Sequence, residues 1–214
     1  MVILCDLHYV RTTTNKALLS MRYVLLCVTL FWGTVAMAIE EPKYSVLSVS
    51  DTYEIRRYDD RVAVETQQAD GENGAFSRLF KYISGANEQS SKVAMTVPVT
   101  QSVKISMTAP VTQEAQADGV TMRFFLPANY NFETAPIPTD PKVRLVLVKG
   151  ADYAVHKYSG RSTDQNFNKA SKLLLEALEK DGVSTKGIPI KATYNGPFTP
   201  FFARRNEAMI EVKY

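Results

Sequence analysis

Cysteine, tryptophan and histidine are scarce in this chain of 214 residues, which contains two, one and two of them respectively. Cys5, Cys27 and Trp32 all lie before residue 39, so residues 39–214 keep one histidine and no cysteine. Thiol chemistry and cysteine-ligated metal sites are therefore excluded from that part of the chain. No glycine-rich phosphate loop is present, and no serine or threonine is marked as a nucleophile by a neighbouring base. The sequence thus predicts no catalytic residue and no resident metal.

Charge of one sign is not in large excess either. The whole chain has 25 basic and 22 acidic residues, and its first 38 residues hold three basic residues and one acidic residue. This leaves 22 basic and 21 acidic residues in the rest of the chain. A balance so close to neutrality argues against a nucleic acid or an acidic membrane as the partner of the protein as a whole.

The amino-terminal segment has the pattern of a secretory signal. Met21-Arg22 precedes an uncharged and mostly apolar run, Tyr23 to Val35, and Ala36-Met37-Ala38 fits a signal-peptidase site. The run is shorter than the ~20 residues that a membrane-spanning helix needs. We expect translation to start at Met21 and cleavage to follow Ala38, with an uncleaved anchor as the alternative. The predicted organisation is an extension with a signal peptide at 1–38 and one domain at 39–214, which is periplasmic if the source is bacterial and keeps no membrane span after cleavage.

A tandem repeat stands in the middle of the chain. Lys92–Gln101 and Lys104–Gln113 both follow the pattern Lys-apolar-small-Met-Thr-x-Pro-Val-Thr-Gln. β-Branched residues with interspersed prolines are typical of edge or bulged strands, and methionine offers an adaptable apolar surface. The pattern predicts a segment that lines a site rather than reacts with what binds there.

A second, longer repeat indicates the fold class. Tyr53–Tyr58 is echoed by Tyr153–Tyr158, and each alternates like a strand that precedes a helix. The apolar spacing predicts helices over 73–84 and 164–180, and strands related at an offset of 99 residues follow at 92–100 and 191–199. Further strands are predicted at 121–126, 143–148 and 208–213. We therefore predict an α+β domain, a distorted antiparallel β-barrel of about eight strands from two pseudo-symmetric halves, each with one flanking helix.

Six motifs in this order resemble those of the SOUL haem-binding protein family: Tyr53-Glu-Ile-Arg-x-Tyr58, Lys81-Tyr-Ile-x-Gly85-x-Asn87, Met95-Thr-x-Pro-Val99, Met107-Thr-x-Pro-Val111, Tyr194-Asn-x-Pro197 and Arg204-Arg-Asn-Glu207. The resemblance spans roughly residues 41–214, which is nearly the whole predicted domain. The resemblance implies the same barrel of two halves. It also implies noncovalent binding of haem or another tetrapyrrole in a shallow hydrophobic cleft, and no particular reaction.

The residues that the resemblance assigns to the haem cleft lie on the first helix and on the loop before the last strand: Phe76, Phe80, Lys81, Phe198, Phe201 and Arg204. Some family members have a histidine, proposed as an iron ligand, where this chain has Arg57. Other interpretations of these residues stay open. Phe76 and Phe80 fit a core-facing stripe, and Met95 and Met107 fit simple packing.

The two remaining candidates have structural interpretations as well. His156 fits an ordinary strand residue, and Arg204 or Arg205 fits an ion pair with Glu207 that fixes the loop. The predicted function is reversible binding of haem or a porphyrin as carrier, buffer or scavenger. The alternatives are a module for another amphipathic small molecule, similar to gyrase-inhibitor-like effector-binding domains, and an envelope protein-interaction domain.

Overall fold

The computed structural model describes residues 39–69, 71–88, 102–116, 119–196 and 198–214. The predictions for the signal segment, for the first copy of the tandem repeat with Met95, and for Pro197 lie outside the described residues. Residues 39–214 form one compact unit. Its elements in chain order are β1 (Tyr44–Val49), β2 (Glu54–Tyr58), β3 (Arg61–Gln67), α1 (Glu72–Ile83), β4 (Asn87–Glu88), β5 (Val111–Gln116), β6 (Gly119–Phe125), β7 (Ile137–Pro138), β8 (Arg144–Val148), β9 (Asp152–Tyr158), α2 (Asp164–Lys180), β10 (Ser184–Thr193), a 3₁₀ turn (Phe201–Ala203) and β11 (Asn206–Lys213).

Nine of these strands form one antiparallel sheet in the order β1-β2-β9-β11-β10-β5-β6-β3-β8. The sheet curls like a half-barrel, which confirms the predicted α+β class. Lys191 of β10 lies opposite Gln113 of β5, and these two side chains contact Asp164 of α2 and Glu72 of α1 respectively. Because cross-strand partners point to the same side of a sheet, both helices cover one face. The opposite, helix-free side is called the inner face below.

The two halves meet where β10 pairs with β5. On one side of this junction the chain runs β3-α1-β5-β6, and on the other it runs β9-α2-β10-β11, in equivalent positions of the sheet. The predicted equivalence of Tyr53–Tyr58 with Tyr153–Tyr158 is therefore wrong. These segments are β2 and most of β9, which are hydrogen-bonded neighbours with Glu54 opposite Val155. The equivalent of β9 is β3, and the equivalent of β2 is β8.

Helix α1 buries only part of its predicted apolar stripe. Leu79 and Ile83 are buried together with Ala75 and Tyr82, and they pack on core residues of β3 and β6 such as Val64 and Phe124. Gly85 follows the helix with a φ of +119°, a conformation that glycine adopts without strain. The alternative interpretation of Phe76 and Phe80 as part of the buried core does not hold, because both side chains remain substantially exposed.

Helix α2 has the bounds that the sequence predicts, Asp164–Lys180. The Thr163 hydroxyl accepts a hydrogen bond from the backbone N–H of Asn166, which caps the first turn. The buried face of the helix packs on β2, β9 and β11 through Ala170, Leu174 and Leu178. The strand predicted at 191–199 lies earlier in the chain than expected, since β10 spans Ser184–Thr193 and a loop follows.

A charged network is buried near the start of β11. Arg56 and Glu207 are both fully buried, and Arg56 Nη1 lies 3.2 Å from Glu207 Oε2. Arg205 Nη2 donates to Glu207 Oε1 at 2.8 Å, and the Tyr194 hydroxyl donates to Glu207 Oε2 at 2.5 Å. The predicted ion pair that fixes this loop is therefore confirmed for Arg205. One carboxylate thus holds β2, β11 and the loop after β10 together.

The Tyr158 hydroxyl supplies a test of alkaline stability. It is buried and has no hydrogen-bond partner among the described residues, and burial raises the pKa of Tyr158 to about 12. The folded protein therefore keeps this proton while the unfolded chain loses it from about pH 10, so unfolding becomes more favourable as the pH rises from 10 towards 12. We expect Tyr158→Phe to raise the midpoint of thermal unfolding slightly at neutral pH and more strongly over that alkaline window. A gain that does not grow with pH would contradict the assignment.

Candidate functional site

A cleft of about 370 Å³ opens beside α1 at the junction of the two halves. We call it the helix cleft. Its apolar part is formed by α1, β5, β6 and the segment before β5, through Phe76, Phe80, Met107, Val111 and Met122. The other half contributes Thr193 and Tyr194 from the end of β10 and the following loop. Its volume lies in the range of small-molecule sites.

The wall on α1 consists of two phenylalanine rings. Phe76 and Phe80 are one helical turn apart, and their rings stack with centroids 6.0 Å apart and an interplanar angle of 12°. Phe76 also meets the Phe124 ring edge-on at 5.3 Å, which fixes its orientation against the core. The two side chains are 39% and 48% exposed. They form an apolar surface of two nearly parallel rings that the protein itself leaves partly uncovered.

Tyr194 closes the cleft on the side of the inner face. Its hydroxyl is held by Glu207, and the Arg205 guanidinium lies 3.9 Å from the centre of its ring. Burial, followed by the charge of Glu207, raises the pKa of Tyr194, so the phenol stays neutral. The same ring borders a second cavity on the inner face. Tyr194 is thus a fixed partition, whereas the phenylalanine wall is open.

The helix cleft is poor in charge and in metal ligands. Among the described residues that line it, Glu72 is the only charged one, and its Oε1 accepts a hydrogen bond of 2.6 Å from Gln113 Nε2. No histidine lies in the described lining, and the sulfur atoms there belong to Met107 and to the buried Met122. No group of three or more metal-ligating side chains occurs in the described part of the chain.

The structure brings together some of the predicted site residues and separates others. Phe76 and Phe80 share the wall of the helix cleft, whereas Lys81 lines a different concavity with Arg78 and Tyr82. Consecutive helical residues are rotated by about 100°, and this rotation carries Lys81 to another side of α1. The roles predicted for these side chains in ligand binding stay predictions.

Phe198, Phe201 and Arg204 lie on the loop whose first residues line the helix cleft, but none of the three is itself in the lining. Phe198 is 99% exposed, and Phe201 is 56% exposed. Arg204 Nε donates to the Thr199 carbonyl oxygen at 2.7 Å, which bends the loop back on itself. Sequence reasoning did not identify Glu72, Val111 or Tyr194 as lining residues, although the second copy of the tandem repeat and the Tyr194 motif contain the last two.

Arg57, at the position of a histidine in some relatives, and His156 both lie outside the helix cleft. Arg57, which replaces a histidine of some relatives, is 57% exposed and forms an ion pair with Asp152. It lies on β2, which β9, β11 and β10 separate from β5 in the sheet. The His156 Nδ1 atom lies 2.6 Å from the Thr52 carbonyl oxygen, so the prediction of a structural strand residue is confirmed. Neither residue lines the helix cleft.

Two other cavities are less suited to a large apolar anion. The inner-face cavity measures about 70 Å³, which is smaller than the ~150 Å³ that accommodates a benzene ring. A larger cleft of about 640 Å³ has four carboxylates in its lining, Glu40, Glu41, Asp59 and Asp60, against two cations, Lys43 and Arg61. Its excess of negative charge opposes a ligand that carries carboxylates. The helix cleft combines sufficient volume with an apolar lining.

Comparison with known proteins gives one family match and one curated relative. The family model described as "SOUL heme-binding protein" matches residues 39–211. "Heme-binding protein 2" of Homo sapiens is 26% identical over 185 residues, which cover 82% of this chain and 87% of that protein. No helix among the described residues is long and apolar enough to cross a membrane.

Solved structures share the fold at low sequence identity. An uncharacterized conserved protein from Listeria innocua is 11% identical, with a TM-score of 0.51, over 78% of this chain and 94% of that chain. The EcmrR C-terminal domain is 10% identical, with a TM-score of 0.50, over 79% of this chain and 98% of that chain. At such identities the similarity establishes the architecture alone.

Proposed function

The chain belongs to the SOUL haem-binding protein family, and from this premise we propose that the helix cleft binds haem or a related tetrapyrrole noncovalently and reversibly. The observation that carries the proposal is the Phe76–Phe80 wall, two nearly parallel rings that face an apolar cleft and remain uncovered. A flat macrocycle is the kind of ligand that such a wall matches. The relative named "Heme-binding protein 2" supports the same ligand class.

Apolar contact supplies most of the affinity in this arrangement. Burial of apolar surface contributes ~25 cal/mol per Å² before the costs of association. Met107 and Met122 are the only sulfur-bearing residues in the described lining, and no histidine is present there. We therefore expect the iron to add little, so that metal-free protoporphyrin binds about as tightly as haemin.

The propionates of haem require positive charge or solvent at the mouth of the cleft. Arg204 stands on the loop that adjoins the cleft, and we propose it as a propionate partner. Lys81 follows Phe80 on α1 but lines a separate concavity, so we place it second. A guanidinium paired with a carboxylate forms strong charge-assisted hydrogen bonds.

We propose a binding role rather than a catalytic one, in which the protein carries, buffers or scavenges the tetrapyrrole after export. The family membership supports binding, and the signal-like residues 21–38 motivate the proposal of export. The mass of the protein isolated from its host tests the second point, since cleavage after Ala38 fixes the mass of the product. An intact amino terminus would overturn export with cleavage.

The direct test of ligand binding is a haemin titration followed at the Soret band, with metal-free protoporphyrin titrated in parallel. We expect a saturable shift at one ligand per chain and similar affinities for both compounds. A response that does not saturate, or that equals the response of an unrelated protein, would overturn the proposal. Much tighter binding of haemin than of protoporphyrin would instead reveal an iron ligand that the helix cleft does not supply.

Glu72 allows the electrostatics of the cleft to be tested. We expect Glu72→Lys to strengthen haemin binding by roughly 3- to 10-fold at low ionic strength, because an attractive charge replaces a repulsive one near the propionates. The gain should shrink as salt is added. Glu179→Lys, the same change on the exposed side of α2, is the matched control and should leave the titration unchanged. Equal effects of both substitutions would indicate net charge rather than a local contact.

A different amphipathic small molecule in the same cleft is the alternative. The absence of histidine from the described lining favours it, because nothing there selects for iron. A competition titration distinguishes the two hypotheses. If the cleft is a site for other amphipathic molecules, unrelated amphipathic compounds should compete with protoporphyrin at comparable concentrations.

A further inference from the structure

Three phenylalanine side chains project from the loop between β10 and β11. Phe198, Phe201 and Phe202 are 99%, 56% and 72% exposed. Single exposed apolar side chains are common on soluble proteins, whereas a cluster of large ones marks an interaction surface. Within five consecutive positions, three aromatic rings are presented to solvent. We call Phe198, Phe201 and Phe202, together with the neighbouring Arg161 and Arg204, the aromatic loop surface.

The loop holds these rings in a defined arrangement. Phe201 and Phe202 lie in the 3₁₀ turn, and their rings meet edge-to-face with centroids 5.6 Å apart. The Phe201 carbonyl oxygen accepts a hydrogen bond of 3.1 Å from the Gly160 N–H. The Arg204 Nε atom bonds to the Thr199 carbonyl oxygen. The exposure of the rings therefore belongs to an ordered turn that is attached to the β9–α2 loop.

Two arginines flank the rings. Arg204 lies on the same loop, whereas the next residue, Arg205, is already paired with Glu207. The attached β9–α2 loop, residues 159–163, includes the exposed Arg161, and the carboxylate that follows this loop, Asp164, is paired with a lysine of β10. The whole protein is close to neutral, so this local asymmetry is a property of the surface itself. Aromatic rings flanked by arginine are the combination found where proteins meet the headgroup region of a bilayer.

We propose that the aromatic loop surface inserts into the interface of a lipid bilayer that contains anionic headgroups. A protruding turn with three rings fits the insertion of side chains into lipid, whereas a stable protein interface requires a broad surface of about 1,000 Å² or more. Because the net charge of the protein is small, insertion of the rings must supply most of the attraction. The arginines then favour anionic over zwitterionic headgroups.

The position of this surface relates it to the helix cleft. Tyr194, Asn195 and Gly196, which line the cleft, begin the same loop. Docking at the tip of the loop places the cleft beside the membrane, where an amphipathic planar ligand accumulates. This last step rests on the proposed function, whereas the docking itself does not.

The test is co-sedimentation of the full chain, without added ligand, with vesicles of phosphatidylcholine containing phosphatidylglycerol. Phe198→Ser combined with Phe202→Ser should lower the partition coefficient by about tenfold or more. Arg161→Gln should weaken binding to these vesicles and leave the weaker binding to pure phosphatidylcholine unchanged. The matched control is Phe132→Ser, since Phe132 is also about half exposed but lies on another loop. Circular dichroism melting of each variant verifies folding.

A second measurement locates the contact independently of stability. Phe202→Trp should show fluorescence that is quenched by brominated lipids, whereas Phe132→Trp should not, after subtraction of the unsubstituted chain, which contains Trp32. Equal partitioning of the serine variants and the parent, or equal quenching at both positions, would overturn the proposal. Loss of self-association in these variants without any vesicle binding would also overturn it and indicate a protein partner. A haemin titration in solution on the same variants keeps the two proposals separate, because failure of haem binding leaves the vesicle result unaffected.

Discussion

Replacement of Glu207 by alanine is expected to lower the free energy of unfolding by about 3 kcal/mol, the lower end of the cost of removing one partner from a buried ion pair. Arg56, which is fully buried, would keep its ion pair with Glu54 at 2.7 Å but would lose the fully buried carboxylate of Glu207. Tyr194 and Arg205 would lose their shared acceptor as well. Urea denaturation followed by circular dichroism measures the change.

Glu211→Ala is the matched control for this prediction. Glu211 lies on the same strand and the same side of it, but its partner Lys186 is well exposed. Exposed ion pairs contribute about 0–1 kcal/mol. If both substitutions cost the same, the buried network does not hold β2, β11 and the loop together as we describe. Arg56→Met with Glu207→Leu should recover part of the loss, because an apolar pair leaves no buried charge.

The second large effect is expected in the cleft. About half of each ring in the Phe76–Phe80 wall is exposed in the free protein, so a ligand that covers both should gain ~1.5 kcal/mol from each. Phe80→Ala should therefore weaken haemin binding by roughly tenfold, and the double substitution of Phe76 and Phe80 by alanine by roughly a hundredfold. Soret titrations give the affinities.

Two controls distinguish the loss of a ligand contact from a general effect of removing a ring or from unfolding of the variant. Phe132→Ala removes an equally exposed ring elsewhere and should leave the affinity unchanged. Because Phe76 also contacts Phe124, thermal unfolding of each variant must be recorded, and titrations are compared well below the unfolding temperature. Unchanged haemin affinity in the folded double variant would place the ligand outside the helix cleft.

The sequence predicted the helices better than it predicted the relation between the halves. Helix α2 is recognisable because its 3.6-residue periodicity, the Thr163 cap and the terminating Gly182 agree. The repeat of Tyr53–Tyr58 at Tyr153–Tyr158 joins adjacent strands, and its equivalent positions face opposite sides of the sheet, since Ile55 packs under α2 and Val155 belongs to the cluster on the inner face. The true counterpart, β3, escaped prediction because it is buried on both faces and shows no polar alternation.

Only part of the candidate site could be predicted from the sequence, because local patterns do not record how separate segments pack. A stripe at i, i+3, i+4 and i+7 identifies one side of a helix, but it does not tell whether the protein covers the whole of that side. The sheet covers Leu79 and Ile83 and leaves the edge with Phe76 and Phe80 open. Glu72 and Tyr194 joined the lining through the packing of separate segments, which no local pattern records.

The helix cleft lies across the junction between β5 and β10, so a bound ligand affects the stability of this strand pairing. Among the described residues, the pairs across it are Gln113–Lys191, Thr112–Ala192 and Val111–Thr193. The cleft spans the junction, with Val111 on one side and Tyr194 on the other. A molecule bound there contacts both sides of the strand pairing that has the fewest residue pairs in the described part of the nine-stranded sheet. Its free energy of binding adds to the cost of separating the two sides, so the backbone amides that are hydrogen-bonded across this junction should exchange their hydrogens more slowly when the ligand is bound. Occupancy of the cleft and opening of these strands are then thermodynamically coupled.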